Sequence, residues 1–252
     1  MKMKIYQDDS RMMAGMTMKD AARPEENHMG LHSCKRTEDV LENRRALADK
    51  LGAPLDTFVF GRQTHSANFR RVSKEDAGSG ADGARDAFPN TDALYTTEPG
   101  IVLCTLTADC VPVLFWNERD GVIGVIHSGW QGTVKEITPK LFDRLAEEGF
   151  DPRNFRVQIG AALSQEKFEV DRDVFDRFQA LGYADDFIRF NEETGKWHID
   201  NQKTVERQLI RAGVPAERIS ADRTCTFESP DGFSYREDKK AGRHLSFIQM
   251  KN

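Results

Sequence analysis

Three short segments carry the residue types that chemistry most often uses. They are Arg62-Gln63-Thr64-His65-Ser66, Thr107-Ala108-Asp109-Cys110-Val111-Pro112 and His127-Ser128-Gly129-Trp130-Gln131-Gly132. His127 closes the apolar run Val122 to Ile126, and Gly129 and Gly132 follow it. That puts it at the mouth of a buried strand, where α/β sheets commonly carry their sites. Cys110 sits in a polar break between two apolar runs, and a break at such a place needs a reason. Two imidazoles and one thiolate are a standard zinc ligand set. Three protein ligands leave a fourth position open, the catalytic rather than the structural pattern. The same residues have plainer readings: His65 as a polar strand edge, Cys110 as a core thiol, His127 as a satisfied histidine capping a strand. The wide separations along the chain do not decide between them.

The other histidines and cysteines offer less. His28 and His32 frame Met29-Gly30-Leu31, a chelating spacing on a helix, but Gly30 favours a loop. His198, in the alternating stretch Lys196-Trp197-His198-Ile199, is expected to face solvent. His244 follows Gly242-Arg243 and is read as either near a ligand or exposed. The four cysteines include no C-x-x-C pair, so zinc-ribbon and thioredoxin-type readings lack support. Cys104, inside Ile101 to Leu106, is expected to be a small buried apolar residue.

Elements to hold these residues can be read from the apolar pattern. Thr37 to Leu51 is a helix, with Val40, Leu41, Leu47, Ala48 and Leu51 near one face and Glu42, Arg44, Arg45 and Asp49 elsewhere. Strands are expected at Thr57 to Phe60, Ala67 to Val72, Ile101 to Leu106, Val111 to Trp116, Val122 to Ile126, Phe155 to Ile159, Ile219 to Arg223 and Leu245 to Gln249. The central runs suit strands buried on both faces. Helical composition covers Gln131 to Glu148, which Pro139 must start or kink, then Arg172 to Leu181 and Asn201 to Ala212, with Asp200 as N-cap. The first thirty residues carry only weak strand signals. Ser73 to Asn90 is a long loop of the kind that is often functional or mobile. The mixture predicts an α/β (α+β) fold with a central sheet covered by helices. No composition shift marks a boundary, so 1–252 is read as a single domain.

Hydrophobic residues at 38% and charged residues at 31% describe a soluble globular chain. A net charge of −5 gives no basic footprint for nucleic acid. The apolar run Val111 to Trp116 is far short of the ~20 residues that a membrane span needs. No signal-peptide core follows Met1-Lys2-Met3-Lys4-Ile5, so a cytoplasmic protein with reduced thiols is expected.

Together these motifs resemble the YfiH-type laccase-domain family. Thr107-Ala108-Asp109-Cys110-Val111-Pro112-Val113-Leu114 is similar to its T-A-D-C-x-P-V-L, and His127-Ser128-Gly129-Trp130 to its H-A-G-W-R-G. Arg62-Gln63-Thr64-His65-Ser66 resembles its R-Q-x-H-G, Asn43-Arg44-Arg45 its N-R-R, and Thr91-Asp92-Ala93-Leu94 its A-D-A-L. Cys225-Thr226, Phe233-Ser234-Tyr235-Arg236 and Gly242-Arg243 resemble its C-terminal signatures. The likeness runs from about His28 to Arg243, most of the chain. Gln131 and Glu237 stand where the family has arginines, and Ser66, Ser128 and Ala161 also depart from its pattern.

The resemblance implies a mixed sheet flanked by helices and a Zn2+ held by His65, Cys110 and His127. It also implies a purine nucleoside phosphorylase acting on adenosine, inosine, guanosine and methylthioadenosine, with adenosine deaminase activity. Zinc lowers the pKa of a bound water to about 7, a source of hydroxide for C6 of adenosine. Purine nucleoside and phosphate are then the expected partners, with no nucleic acid and no membrane. Arg44, Arg62 and Arg236 are candidate phosphate contacts, since guanidinium binds two oxygens at once. Asp109 and Gln63, close in sequence to ligands, are candidates to orient them or carry a proton. A second reading is a Cys110–His127 amide hydrolase, with Asp109 or His65 orienting the base, acting in peptidoglycan precursor editing. A third is a copper polyphenol oxidase. Multicopper oxidases need many H-x-H pairs, and the six histidines here form none, though the same three residues could take copper as an alternative or adventitious metal.

Overall fold

The computed structural model describes residues 1–251. The chain opens with a hairpin, β1 (Met3–Asp8) and β2 (Met12–Thr17), closed by Asp9, whose carboxylate accepts from the amides of Arg11 and Met12. Helix α1 (Thr37–Leu51) follows over the expected span. Its buried stripe differs in one place from the sequence reading: Arg44 lies on it, with Val40, Leu47, Ala48 and Leu51. The steps of 4, 3 or 4 along that series are those of a helix face, and Arg44 meets them as well as any apolar neighbour does.

Four short or medium strands come next: β3 (Phe58–Phe60), β4 (Phe69–Arg71), β5 (Ala93–Thr96) and β6 (Val102–Thr107). The apolar centre continues with β7 (Val111–Asn117) and β8 (Val122–Ser128). The helical stretch after β8 is two helices, α2 (Trp130–Val134) and α3 (Ile137–Glu147), hinged at Glu136 with φ +59°. Pro139 sits in the first turn of α3, where an N–H has no intrahelical partner to lose. The remainder is β9 (Arg156–Ile159), β10 (Glu169–Val170), α4 (Arg172–Gln179), β11 (Ile188–Asn191), β12 (Lys196–Ile199), α5 (Asn201–Arg211), β13 (Ile219–Ala221) and β14 (His244–Met250). Asp200 caps α5, accepting from the Lys203 amide at 2.8 Å.

The α+β class is as expected, with the strands divided among three sheets. One has the order β1-β2-β14-β6-β3, a second β13-β9-β7-β8-β5-β4, and a small third β10-β12-β11. The two large sheets are mixed and face each other. Leu103 of β6, Ile248 of β14 and Ala14 of β2 pack with Leu114 of β7 and Val125 of β8 in one core. Because side chains alternate along a strand, the neighbours of these residues line the outer faces. Val102 and Cys104 turn to α1. Val113 and Phe115 turn to α3 and α5, where Phe115, Phe142 and Phe155 meet edge-on or tilted at 5.3–5.8 Å. The result is four layers, α1, sheet, sheet and α3 with α5. The small sheet packs with α4 in a separate cluster.

Two readings of single residues are corrected here. His198 is buried rather than solvent-facing, because β12 is the middle strand of the small sheet and the Gln165 carbonyl lies 3.1 Å from its Nδ1. His244 is not exposed. It is fully buried, with Nδ1 against Thr17 O at 2.8 Å and Nε2 accepting from Phe233 N at 2.7 Å. No helix among the described residues is long and apolar enough to cross a membrane.

Candidate metal centre

The polar break around Cys110 is where the chain leaves one large sheet for the other. β6 belongs to the first sheet and β7 to the second, and Asp109 makes the turn with φ +85°. Cys110 therefore stands at the start of β7. There Pro112 is opposite His127, the penultimate residue of β8. β5 pairs with the other edge of β8, Ala93 opposite Ile126, which sets Asp92 beside His127. His65 comes from the β3–β4 connection, with φ +57°. Lys135 Nζ holds that connection by donating to His65 O at 2.6 Å.

The three side chains converge. Cys110 Sγ is 3.7 Å from His65 Nε2, the His65 and His127 rings are 4.8 Å apart at 67°, and one ligand atom of each of the three lies within 4.8 Å of the others. A tetrahedral zinc with bonds of about 2.0–2.3 Å separates its ligand atoms by roughly 3.3–3.6 Å, so these residues fit a small divalent ion once the widest pair closes by roughly 1 Å. Gly129 makes room for them. A Cβ there would lie 2.7 Å from His65 Cδ2 and 2.9 Å from Cys110 Sγ.

Asp92 organises the group. Its Oδ1 is 2.8 Å from His127 Nδ1 and accepts from His65 N at 3.0 Å. Its Oδ2 accepts from the amides of Thr64 and Ser66 and from Ser66 Oγ at 2.6 Å. With Nδ1 so engaged, His127 turns Nε2 to the centre, the usual carboxylate–histidine arrangement behind a metal. Burial raises the Asp92 pKa, but the bonds from His127 and Ser66 outweigh it and bring it to about 2. Burial likewise pushes the Cys110 thiol up, and the His127 charge overcomes this and lowers it to about 6. Burial lowers the His127 pKa, while Cys110 and Asp92 raise it to about 9. The two shifts run toward the thiolate and the protonated imidazole, the pairing whose proton a divalent ion would displace.

The centre opens on a cavity of about 520 Å³. Arg44, Arg62 and Gln63 line it. Arg44 donates from Nε to Met29 O and from Nη1 to Gly80 O and Ala81 O, so the 73–90 loop forms one wall over it. The Gln63 amide is taken up by the Leu106 backbone, donating to O at 2.7 Å and accepting from N at 2.8 Å. Asp109 and Arg236 stay outside the lining. The Asp109 carboxylate accepts from Thr226 Oγ1 and Arg236 N, both at 2.7 Å. The Arg236 side chain donates to Glu169 O and lies against Phe168. Gln131 and Glu237 also lie off the cavity wall.

Sequence reasoning gave no role to Asp92, His32 or Arg243, of which the last two line the cavity. Asp92 heads the apolar run Ala93 to Tyr95, the same signal that picked out Cys110 and His127.

Comparison with known proteins agrees with this fold. A family model described as multi-copper polyphenol oxidoreductase laccase matches residues 17–251. Purine nucleoside phosphorylase YlmD of Bacillus subtilis (strain 168) is 34% identical over 97% of this chain and 91% of its own. Adenosine deaminase RL5, from an unknown prokaryotic organism, is 32% identical over 79% of this chain and 78% of its own. The crystal structure of YlmD from Geobacillus stearothermophilus superimposes with a TM-score of 0.91 at 32% identity, over 99% of this chain and 100% of that one.

Proposed function

From a chain that belongs to the family described as multi-copper polyphenol oxidoreductase laccase, we propose a zinc-dependent purine nucleoside phosphorylase that also deaminates adenosine. The observation that carries this is a three-ligand centre of His65, Cys110 and His127 at the wall of a nucleoside-sized cavity. The names of the two relatives support the reaction class. When bound, the zinc supplies a Lewis acid at that wall.

The chain's own residues do the rest. Asp92 keeps a proton on His127 Nδ1 and so directs Nε2 to the centre. Cys110 supplies the thiolate that its low pKa provides at neutral pH. Leu31, Phe60 and Leu106 give an apolar wall on which a purine can lie. Arg62, exposed at the mouth, attracts anionic substrate. The free state of all four cysteines suits a reducing cytoplasm.

Turnover of adenosine and inosine, with and without phosphate, tests the proposal. Phosphate-dependent release of hypoxanthine from inosine is expected, and Cys110→Ala is expected to lower it at least about a hundredfold. Wild-type-like turnover by metal-free Cys110→Ala contradicts the mechanism.

One observation favours a second reading, a Cys–His amide hydrolase. The lowered Cys110 pKa beside a protonated His127 is also the state of a cysteine nucleophile. Alkylation separates the two. Rapid iodoacetamide trapping of Cys110 in freshly purified protein that contains no metal favours the hydrolase, and protection of Cys110 by stoichiometric metal favours the phosphorylase.

A further inference from the structure

The cavity beside the triad has a charge pattern that the roles above leave unused. Its wall includes Arg44, Arg62, Arg243 and His32, and no aspartate or glutamate. This is unusual in a chain with 41 acidic and 36 basic residues. Arginines elsewhere, such as Arg23, Arg45, Arg71 and Arg144, sit beside carboxylates. The cavity arginines form no ion pair among the described residues. Arg44 uses Nε and Nη1 on backbone carbonyls, and Arg243 uses Nη1 on Ala241 O and Gly242 O. The Nη2 group of each is left without a protein acceptor among the described residues.

The fold builds this arrangement deliberately from distant segments. His28 Nδ1 accepts from Gly30 N at 2.9 Å and from Arg243 N at 3.0 Å, and Met29 N donates to Arg243 O at 3.1 Å. These bonds tie the 28–32 turn to the start of β14. At the junction a Cβ on Gly30 would lie 3.0 Å from Arg243 Cγ and 3.2 Å from His32 Cε1, so both side chains pack close over this glycine. Arg44 is buried beside them and bonded to Met29 O. Burial lowers the Arg243 pKa, and the first charge that opposes this is Cys110, which ties the arginine to the triad.

We propose that Arg243, the Nη2 edge of Arg44 and, at the rim, His32 form the subsite for the phosphate dianion. The inference rests on the phosphorolysis reading and assigns its second substrate. Guanidinium groups with free N–H edges hold phosphate oxygens through charge-assisted, often bidentate bonds, and a wall without carboxylates does not repel the dianion. The nucleoside then lies between this subsite and the apolar wall. A phosphate oxygen forms the bond to C1′ as the bond from C1′ to N9 breaks. The electron pair of that bond leaves with the purine, which takes up a proton, so nucleoside and phosphate become ribose 1-phosphate and free base.

Metal-loaded Arg243→Gln and His32→Gln proteins test this in two ways. In steady-state phosphorolysis of inosine, Arg243→Gln is expected to raise KM for phosphate at least about tenfold and KM for inosine by less than about threefold. His32→Gln shifts the phosphate KM in the same direction and by less. In calorimetric titration with inorganic phosphate alone, Arg243→Gln is expected to bind at least about tenfold more weakly than wild type. An unchanged phosphate KM and affinity in both variants overturns the subsite, as does an equal rise in both KM values. Calorimetry keeps the two ideas apart: phosphate binding that depends on Arg243 in a protein that splits no nucleoside supports the subsite and removes the reaction.

Discussion

The carboxylate of Asp92 touches both imidazole-bearing segments, through His127 Nδ1 on one side and the amides of residues 64–66 on the other. Both of its oxygens receive donors. In Asp92→Asn the amide nitrogen must therefore face an N–H or O–H whichever way the side chain is flipped. Loss of such a partner behind a metal ligand typically costs 10–100-fold in metal affinity. That range is the expectation here for zinc, read by competition with a chromophoric chelator, and an unchanged affinity would contradict the role given to Asp92. His65, Cys110 and His127 stood out in the sequence because each interrupts or ends an apolar run. Asp92 heads such a run too, but a carboxylate there is as readily a turn or cap residue. Its role depends on the β5–β8 register, which is a long-range property. His32 was visible only as half of a spacing with His28 and Arg243 only within the Gly242-Arg243 segment, since their approach to each other spans more than two hundred residues.

At the level of elements, the centre depends on how β8 ends. Ser128-Gly129-Trp130 passes from strand to α2 within contact of His65 and Cys110, and only a residue without a side chain allows that approach. Gly129→Ala is expected to weaken zinc binding tenfold or more. Its effect on urea stability should stay within the ~1–3 kcal/mol typical of overpacking. A variant with native zinc affinity would show that the 2.7 Å approach is not needed. Helix α1 and strands β6, β7 and β8 were legible because their apolar patterns are long and regular. The hairpin β1–β2 was not, because its lysine, alanine and glycine are weak strand formers and β2 pairs with β14, at the far end of the chain. After β8 the sequence pointed to a helix start or kink at Pro139, and the break lies at Glu136 instead because composition does not show its left-handed turn.

Across the whole molecule, two facing sheets place the centre at their junction, where β6 crosses to β7. That junction was invisible in the sequence, since apolar runs reveal strands but not which sheet they join. Buried His28 and His244 knit the 28–32 turn, β2 and the segment before β14 together. Burial lowers the pKa of each to about 4. The unfolded chain protonates these groups below its ordinary value of about 6.5 and the folded chain does not. Their contribution to stability is therefore full above pH 6.5 and is lost as pH falls toward 4. Urea unfolding should show a loss on the order of a few kcal/mol between pH 7 and 4.5, reduced in His244→Gln at matched ionic strength. A flat profile over that range would contradict neutral histidines in the fold.

The central claim is that three side chains distant in the chain hold one ion and leave a position open. Its most direct measurement is the metal content, by elemental mass spectrometry, of protein purified without chelator and without added copper. The account predicts close to one zinc per chain in the wild type and almost none in folded Cys110→Ala. Wild-type protein with negligible metal, or Cys110→Ala that retains a full equivalent, would contradict it.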